Sequence, residues 1–512
     1  MRSSYVVSSE QMQVYHAKSW PAFARAANDK ATKKIAAASK FRLFCNQHTS
    51  AFLRFMSHVF AFSIILFAAT IPAFCQKSDT ALRRVQEQDV FSRGGGDIPT
   101  LSPAEHLARA ETYSSNRLFP EARAHWMKLL EVYPNDAGVP KALFGIARSF
   151  MWERQYAKAV EWFGRLTKDH LDTKDGREGL AFLGASYVRL GKNLEAAKAY
   201  EQYVSLFPQG ERVDSAHLNI IDAYREAGKY DEAASWIQKA VATFADTPTE
   251  INALQAGLRM EIFRERWQQA VSAADSVLSK NSFRASMTSA DEVKYLKALA
   301  LEKAGKKQLA MDVYGSIGNS YLSYYGGLAS ERLAKGRAKF HMPETPTSKQ
   351  IADSPVMFRA ELLREAGKRK IDPRFLLAIM KQESVFKPGA KSPAGARGLL
   401  QLVFDTAIKY KDAAGYPNLQ PDDLYAPAVN IAIGAEYVAA LRDEFGGLYE
   451  GIAASYNGGE DNALRWLNRS KPKDPGIFVA EIGFAESKNY VFKVMGNYRL
   501  YQALYNEDLT RK

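Results

Sequence analysis

Glu383 has the surroundings that acid–base chemistry needs. Asp372 and Pro373 fit the N-cap and the first position of a helix that leads up to it. The same helical face carries three apolar residues that precede it at helical spacing, Leu376, Ile379 and Met380. Lost hydration and the negative end of the helix dipole would both raise the pKa of a carboxyl group placed there. The pattern is typical of a general acid, and the alternative is an ordinary glutamate whose side chain reaches water.

Three sequence blocks follow one another from Glu383 onward. The first runs from 383 to 402 (ESVFKPGAKSPAGARGLLQL), the second from 455 to 459 (SYNGG), and the third from 481 to 491 (EIGFAESKNYV). Together they resemble the signature of the soluble lytic transglycosylases. These are lysozyme-like enzymes that cleave the glycan strands of bacterial peptidoglycan.

The resemblance implies a role for each matching residue. Glu383 would be the catalytic acid and base, and the implied substrate-binding residues are Ser392, Gln401, Tyr456, Asn457 and Glu486. The residues also have structural roles to offer, and Asn457 with the two glycines after it would form the turn that aims Tyr456. Ser392 and Gln401 fit loop capping, Tyr456 fits a buried core tyrosine, and Glu486 fits a solvent-exposed helix acid.

The resemblance also implies a mechanism with one carboxylate. Most glycosidases use two, and no second acidic residue stands beside Glu383 in the motif. A transglycosylase does not need it, because the C6 hydroxyl of N-acetylmuramic acid attacks its own anomeric carbon. The expected product is a 1,6-anhydromuramoyl end, formed without a cofactor or metal. A goose-type hydrolytic muramidase is one alternative, and a catalytically decayed scaffold that binds peptidoglycan is another.

Some positions depart from the family pattern. Val403 and Phe404 stand where Met-Pro is usual, which predicts a different wall of the saccharide cleft. Gly483 replaces a usual proline and Ser487 a usual threonine in the third block. None of these changes touches the proposed acid.

A period of 37 residues organises the chain before the catalytic blocks. An aromatic residue recurs at Tyr113, Phe150, Tyr187 and Tyr224. An alanine follows each by nine residues, at Ala122, Ala159, Ala196 and Ala233. A bulky residue follows each by thirteen, at Trp126, Phe163, Tyr200 and Ile237. The pattern resembles the tetratricopeptide repeat and predicts stacked helix pairs that curve into a superhelix. The resemblance to the soluble lytic transglycosylases implies that this region guides glycan strands or docks partner proteins.

Composition and the start of the chain bear on location. The net charge of +13 lies partly in residues 1–55, with nine Lys/Arg against two Asp/Glu. No basic run with interleaved aromatics argues for nucleic acid.

The uncharged apolar run 59–74 predicts a secretory signal and a periplasmic protein. Lipidation at Cys75 and retention as a membrane anchor are the alternatives. Both cysteines, Cys45 and Cys75, precede the globular part, so a disulfide framework is excluded there.

The sequence therefore predicts a mainly α protein in five parts. Residues 1–75 form a basic leader and signal, and 76–102 a flexible linker. Residues 103–315 form a tetratricopeptide-like α-solenoid, 316–349 a helical linker, and 350–512 a lysozyme-like domain with short strands in its motif loop.

Overall fold

The computed structural model describes residues 72–92, 98–336 and 345–512. A first helix, α1, spans Pro72–Ser92 and belongs to a different compact unit from residues 100–512. The predicted linker is thus helical over its first part. Cys45 and most of the predicted signal lie outside the described residues. Within the described residues, no helix is both long and apolar enough to span a membrane.

Helices in consecutive pairs build the region of the 37-residue period. The bounds are α2 Pro103–Ser115, α3 Phe119–Val132, α4 Val139–Trp152, α5 Tyr156–Asp169, α6 Lys174–Arg189, α7 Asn193–Leu206, α8 Val213–Glu226, α9 Tyr230–Thr243, α10 Pro248–Phe263, α11 Trp267–Leu278, α12 Ala290–Lys303 and α13 Lys307–Gly315. Several starts are capped by a side-chain oxygen, as where Ser102 accepts from the Glu105 amide and Thr173 from the Gly176 amide. The hydroxyl satisfies an amide that the helix itself leaves unpaired.

The periodic residues fill the space between these helices. All four periodic alanines have 0% exposure, which lets the paired helices approach closely. Trp126, Phe163 and Tyr200 are buried at the next periodic position, and Ile237 is partly buried. The predicted packing role of the repeat is therefore confirmed.

The remaining helices form the region that carries the catalytic blocks. Their bounds are α14 Tyr324–Lys335, α15 Ser348–Ala352, α16 Arg359–Arg369, α17 Pro373–Ser384, α18 Phe404–Tyr410, a 3-10 turn Pro421–Tyr425, α19 Pro427–Glu444, α20 Tyr449–Gly458, α21 Glu460–Arg469, α22 Pro475–Glu481 and α23 Ala485–Leu504. The motif loop between α17 and α18 makes isolated β-bridges, Lys391 with Arg397 and Arg397 with Leu402. In the described residues these bridges take the place of the short strands that the sequence suggested.

Buried and partly buried polar contacts join the repeats to the catalytic region. The Arg117 guanidinium lies 2.7 Å from the carboxylate of Asp405. At the other end of the repeats, Lys488 lies 2.8 Å from Glu292, and both side chains are almost completely buried. The repeats thus hold the catalytic region from their first helix pair to their last.

Glu481 is paired with three arginines at this interface. Arg225 and Arg259 approach it from the repeats at 2.8 and 2.7 Å, and Arg469 approaches from α21 at 3.2 Å. The Glu481 side chain is 1% exposed. Burial raises the pKa of its carboxyl group, but the three guanidinium groups outweigh burial and hold the pKa at about 2.

We expect Glu481→Gln to lower the free energy of unfolding by about 3–5 kcal/mol, because it removes one of the two carboxylates, Glu481 and Asp222, that three buried guanidinium groups share. Urea unfolding at pH 7 measures the loss. In the wild type this stabilisation is present above the usual carboxyl pKa of 4.5 and is lost as pH falls toward 2.

The control for this prediction is Glu111→Gln, which removes an exposed pair with Lys141 at 3.2 Å. Such pairs contribute about 0–1 kcal/mol, so the change should be small. Equal effects of the two substitutions would contradict the importance of the buried cluster.

Candidate active site

Glu383 lies in the last turn of α17. Asp372 caps the start of this helix by accepting from the Arg374 amide at 2.9 Å, and Pro373 occupies its first turn. The apolar residues on the face that leads to Glu383 have 0% exposure, namely Leu376, Ile379 and Met380. The Glu383 side chain itself is half-buried. The helix predicted from the sequence is confirmed, and it places a carboxyl group between the core and solvent.

Burial raises the pKa of Glu383 to about 7. A hydrogen bond from Tyr490 opposes this rise, and the nearby charge of Glu486 adds to it. The group is therefore protonated in a large fraction of molecules near neutral pH and ready to donate a proton.

A second carboxyl group has a similar pKa but different surroundings. Burial also raises the pKa of Glu450 to about 7. Its side chain accepts from the Tyr324 hydroxyl at 3.1 Å and is 6% exposed, at the junction of α20 with α14. A carboxyl group sealed between helices suits packing, whereas Glu383 is partly exposed.

Two tyrosines flank the acid. The Tyr490 hydroxyl, from α23, donates to Glu383 Oε1 at 2.6 Å. The Tyr456 hydroxyl, from α20, donates to the Leu400 carbonyl at 2.6 Å. Burial, reinforced by the charge of Glu383, holds the pKa of both phenols well above 10, so both remain protonated donors. Tyr456 was predicted from the sequence, whereas the bond from Tyr490 was missed although Tyr490 stands in the third block.

The motif loop is held by its own hydrogen bonds. Gln401 Nε2 donates to the carbonyls of Ala390 and Gly398 at 3.0 and 2.8 Å. Ser392 Oγ accepts from the Ala396 amide at 3.1 Å. Both side chains therefore take the loop-stabilising role that was the structural alternative, and substrate contact by either remains a prediction.

Asn430 and Gly398 fix the loop against α19. Asn430 accepts from the Leu400 amide and donates to the carbonyls of Arg397 and Leu424. Gly398 has a φ of +78°, and a Cβ there would lie 2.1 Å from the Leu424 carbonyl oxygen. A side chain at this position would push the loop away from α19. Asn430 was not predicted from the sequence.

The other predicted residues lie on the α20–α23 side. Asn457 Oδ1 accepts from Ser487 Oγ at 2.7 Å, which ties the second block to the third. Glu486, in the first turn of α23, acts on Glu383 through its charge. The structure thus brings Glu383, Tyr456, Glu486 and Tyr490 to one place. Ser392 bonds inside its own loop, within the part of the chain that is described.

The backbone is strained from the second residue after the acid. Val385 has a φ of +49° and Phe386 a φ of +62°, which is uncommon for residues with a Cβ and especially for a β-branched one. Phe386 is 7% exposed, whereas Val385 is 66% exposed beside the acid. In the described residues, no group of three metal-binding side chains is placed to hold an ion.

Comparison with known proteins agrees with this arrangement. Residues 362–478 match the family described as the transglycosylase SLT domain, and residues 183–248 match a tetratricopeptide repeat family. The chain thus combines an SLT domain with tetratricopeptide repeats. The resemblance to the soluble lytic murein transglycosylases that the sequence indicated is confirmed.

Two named relatives match part of this chain in sequence, and one solved structure aligns with it. The soluble lytic murein transglycosylase of Escherichia coli K12 is 33% identical over 145 residues, or 28% of this chain and 22% of that protein. The membrane-bound lytic murein transglycosylase C of Mannheimia succiniciproducens is 30% identical over 216 residues, or 36% and 58%. The 70 kDa soluble lytic transglycosylase of Escherichia coli aligns over 99% of both chains at 16% identity and a TM-score of 0.46. The chain spans less than a quarter of the length of the soluble relatives that it matches in sequence.

Replacing Tyr490 by Phe removes the hydroxyl that donates to Glu383. Because that bond favours the carboxylate form, we expect the pKa of Glu383 to rise above the wild-type value of about 7. Infrared titration measures this pKa. The spectrum of the matching protein with Glu383→Gln is subtracted, so that the signal of Glu383 is separated from that of Glu450. The control is Tyr501→Phe, whose hydroxyl donates to the Pro355 carbonyl and should leave the titration unchanged. A pKa that stays the same or falls in Tyr490→Phe would refute the assignment.

Proposed function

We propose that this chain is a peptidoglycan lytic transglycosylase with Glu383 as its single general acid and base. The observation that carries the proposal is the half-buried carboxyl group of Glu383, with its pKa raised to about 7, inside a matched SLT domain. The names of the relatives support the same substrate, the glycan strand of peptidoglycan.

In the first step, protonated Glu383 donates its proton to the glycosidic oxygen between N-acetylmuramic acid and N-acetylglucosamine. The bond from C1 to that oxygen then breaks, and the substrate's own acetamido group stabilises the cation, as in substrate-assisted glycosidases. The Tyr490 hydroxyl, which already donates to Glu383, stabilises the resulting carboxylate.

In the second step, the C6 hydroxyl oxygen of the same sugar bonds to C1. Its proton returns to the Glu383 carboxylate, which restores the acid. The reaction consumes no water, and the product is a 1,6-anhydromuramoyl end. The attacking hydroxyl belongs to the substrate, so a second protein carboxylate is not required.

The remaining assignments are parts of the same proposal. Tyr456 and Asn457 would bind sugar from the α20 side, and Ser392 and Gln401 from the motif loop. Glu486 would act at the rim of the site, where its charge reaches Glu383. The apolar run 59–74 supports export to the periplasm, and the repeats offer surfaces to partner proteins.

We expect Glu383→Gln to reduce strand cleavage by at least about a hundredfold, because the amide cannot donate the proton. Release of soluble fragments from purified sacculi measures the loss, and the variant should still bind sacculi and keep the wild-type melting temperature. Retained cleavage in this variant would exclude Glu383 as the acid.

The products separate the two possible nucleophiles. A transglycosylase gives fragments lighter by one water than those of a hydrolase, which mass spectrometry resolves. We expect anhydro ends. Reducing ends without anhydro ends would instead identify a hydrolytic muramidase of the goose type.

The rate should fall as the pH rises through about 7. The raised pKa keeps Glu383 protonated below that pH, and a deprotonated carboxylate cannot protonate the leaving oxygen. Initial rates of sacculus digestion between pH 5 and pH 9 test this at constant ionic strength. A rate that keeps rising above pH 8 would contradict the role of Glu383 as the acid.

A further inference from the structure

A cavity of about 540 Å³ lies between the repeats and α21. Its size falls in the range of small-ligand sites, which hold about 300–1,000 Å³. Its lining contains none of the residues assigned above to catalysis or glycan binding. What it could bind follows from the side chains that face it.

One wall is built from two positions of the 37-residue period. The last residue of the first helix in three successive pairs contributes Arg189, Glu226 and Phe263. The first residue of the second helix contributes Tyr156, Asn193 and Tyr230, from three pairs that begin one pair earlier in the chain. Each of these residues follows the previous one of its set by 37 positions. The repeat therefore presents a row of different side chains at equivalent places.

One face of α21 forms the opposite wall. It contributes Asp461, Leu464, Arg465 and Asn468, spaced as neighbours on a helix surface. Asp461 is bridged to the repeat wall by the Tyr156 hydroxyl at 2.5 Å. The cavity is thus closed at that end by a hydrogen bond between its two walls.

The arginines in the lining differ in how completely they are paired with carboxylates. Arg225 and Arg469 are paired with Asp222 and Glu481. Arg465 Nε donates to the two carboxylate oxygens of Glu226 at 2.7 and 2.8 Å. The terminal nitrogens of Arg465 make no hydrogen bond within the described residues.

Arg189 is the least satisfied of these cations. It makes neither an ion pair nor a hydrogen bond within the part of the chain that is described, although it is half-buried. Burial lowers the pKa of Arg189 and the neighbouring charge of Arg465 lowers it further, whereas Tyr156 and Asp461 raise it. A carboxylate between the two guanidinium groups would relieve this repulsion and accept their free N–H donors.

Asn193 requires a hydrogen-bond donor from the ligand. Its Oδ1 is buried and accepts no hydrogen bond in the described residues. A buried acceptor without a donor costs about 1–3 kcal/mol, which an N–H from a ligand would recover. Val188, Phe263 and Leu464 add apolar surface to the lining.

We propose that this cavity binds the carboxyl-terminal end of a short peptide. The terminal carboxylate is held by Arg189 and Arg465, a peptide N–H donates to Asn193 Oδ1, and an aliphatic side chain packs on Phe263 and Leu464. Peptides attached to the glycan strand and free peptides share this chemistry.

Calorimetric titration of the full chain tests the proposal with two tetrapeptides. One is the cell-wall stem L-Ala-γ-D-Glu-meso-diaminopimelate-D-Ala, and the other is L-Ala-L-Glu-L-Lys-L-Ala. Each is titrated as the free acid and as the carboxyl-terminal amide. We expect an acid to bind at least tenfold more tightly than its amide. Tighter binding of the stem peptide identifies cell-wall peptides as the source, and tighter binding of the all-L peptide identifies free peptides.

Variants connect the binding to the cavity. Arg189→Gln should weaken binding at least tenfold, with little change in melting temperature because Arg189 has no ion pair to lose. Asn193→Asp should weaken it as well by placing a negative charge beside the ligand carboxylate. The matched control is Arg165→Gln, an exposed arginine stacked on Trp162, and it should bind as the wild type does.

Several results would overturn the proposal. These are the absence of binding, equal binding of acid and amide, wild-type binding by both cavity variants, and displacement of the peptide by an equal concentration of inorganic phosphate. Binding by Glu383→Gln should equal that of the wild type. A failure of the enzymatic proposal would therefore be distinguishable from a failure of this one.

Discussion

The contact of Glu481 with three arginines is the interaction on which the rest of the structure depends. Arg225 and Arg259 belong to the repeats and Arg469 to α21, so one carboxylate joins two parts of the chain. Arg469 also donates to the Glu481 backbone carbonyl at 2.6 Å, which fixes the chain where α22 gives way to α23. Glu486, Ser487 and Tyr490 come shortly after that point in the chain. The repeats therefore help to position the hydroxyl that touches Glu383, although they lie outside the active site.

Two carboxyl groups with a pKa near 7 show why electrostatics must be considered together with access. Glu383 and Glu450 are both raised by burial, and each accepts from a tyrosine hydroxyl. Glu450 is enclosed by α14 and α20, where a neutral carboxyl group serves as a packing element. Glu383 stands at a helix end followed by two residues with positive φ, so its carboxyl group remains at the surface of the core. A perturbed pKa indicates a functional site when a ligand can also reach the group.

Local patterns in the sequence predicted the elements that short-range forces determine. The helix before Glu383 and the helix pairs of the 37-residue period follow from apolar spacing and capping, and both are present. The bond from Tyr490 to Glu383 could not be predicted, because it depends on how α23 crosses α17, 107 residues apart in sequence. The motif loop shows the same limit. Its glycines predicted turns, but the clamp by Asn430 depends on the packing of α19.

The equivalent positions of the repeat have a consequence for how this chain can change. A free solenoid tolerates the gain or loss of a whole unit, since each unit contacts its neighbours alone. Here Arg117, Arg225 and Glu292 meet fixed partners in Asp405, Glu481 and Lys488. Duplicating or deleting 37 residues would preserve every helix pair and yet shift these partners out of alignment. The number of repeat units is thus constrained by the contacts that the repeats make with the catalytic region.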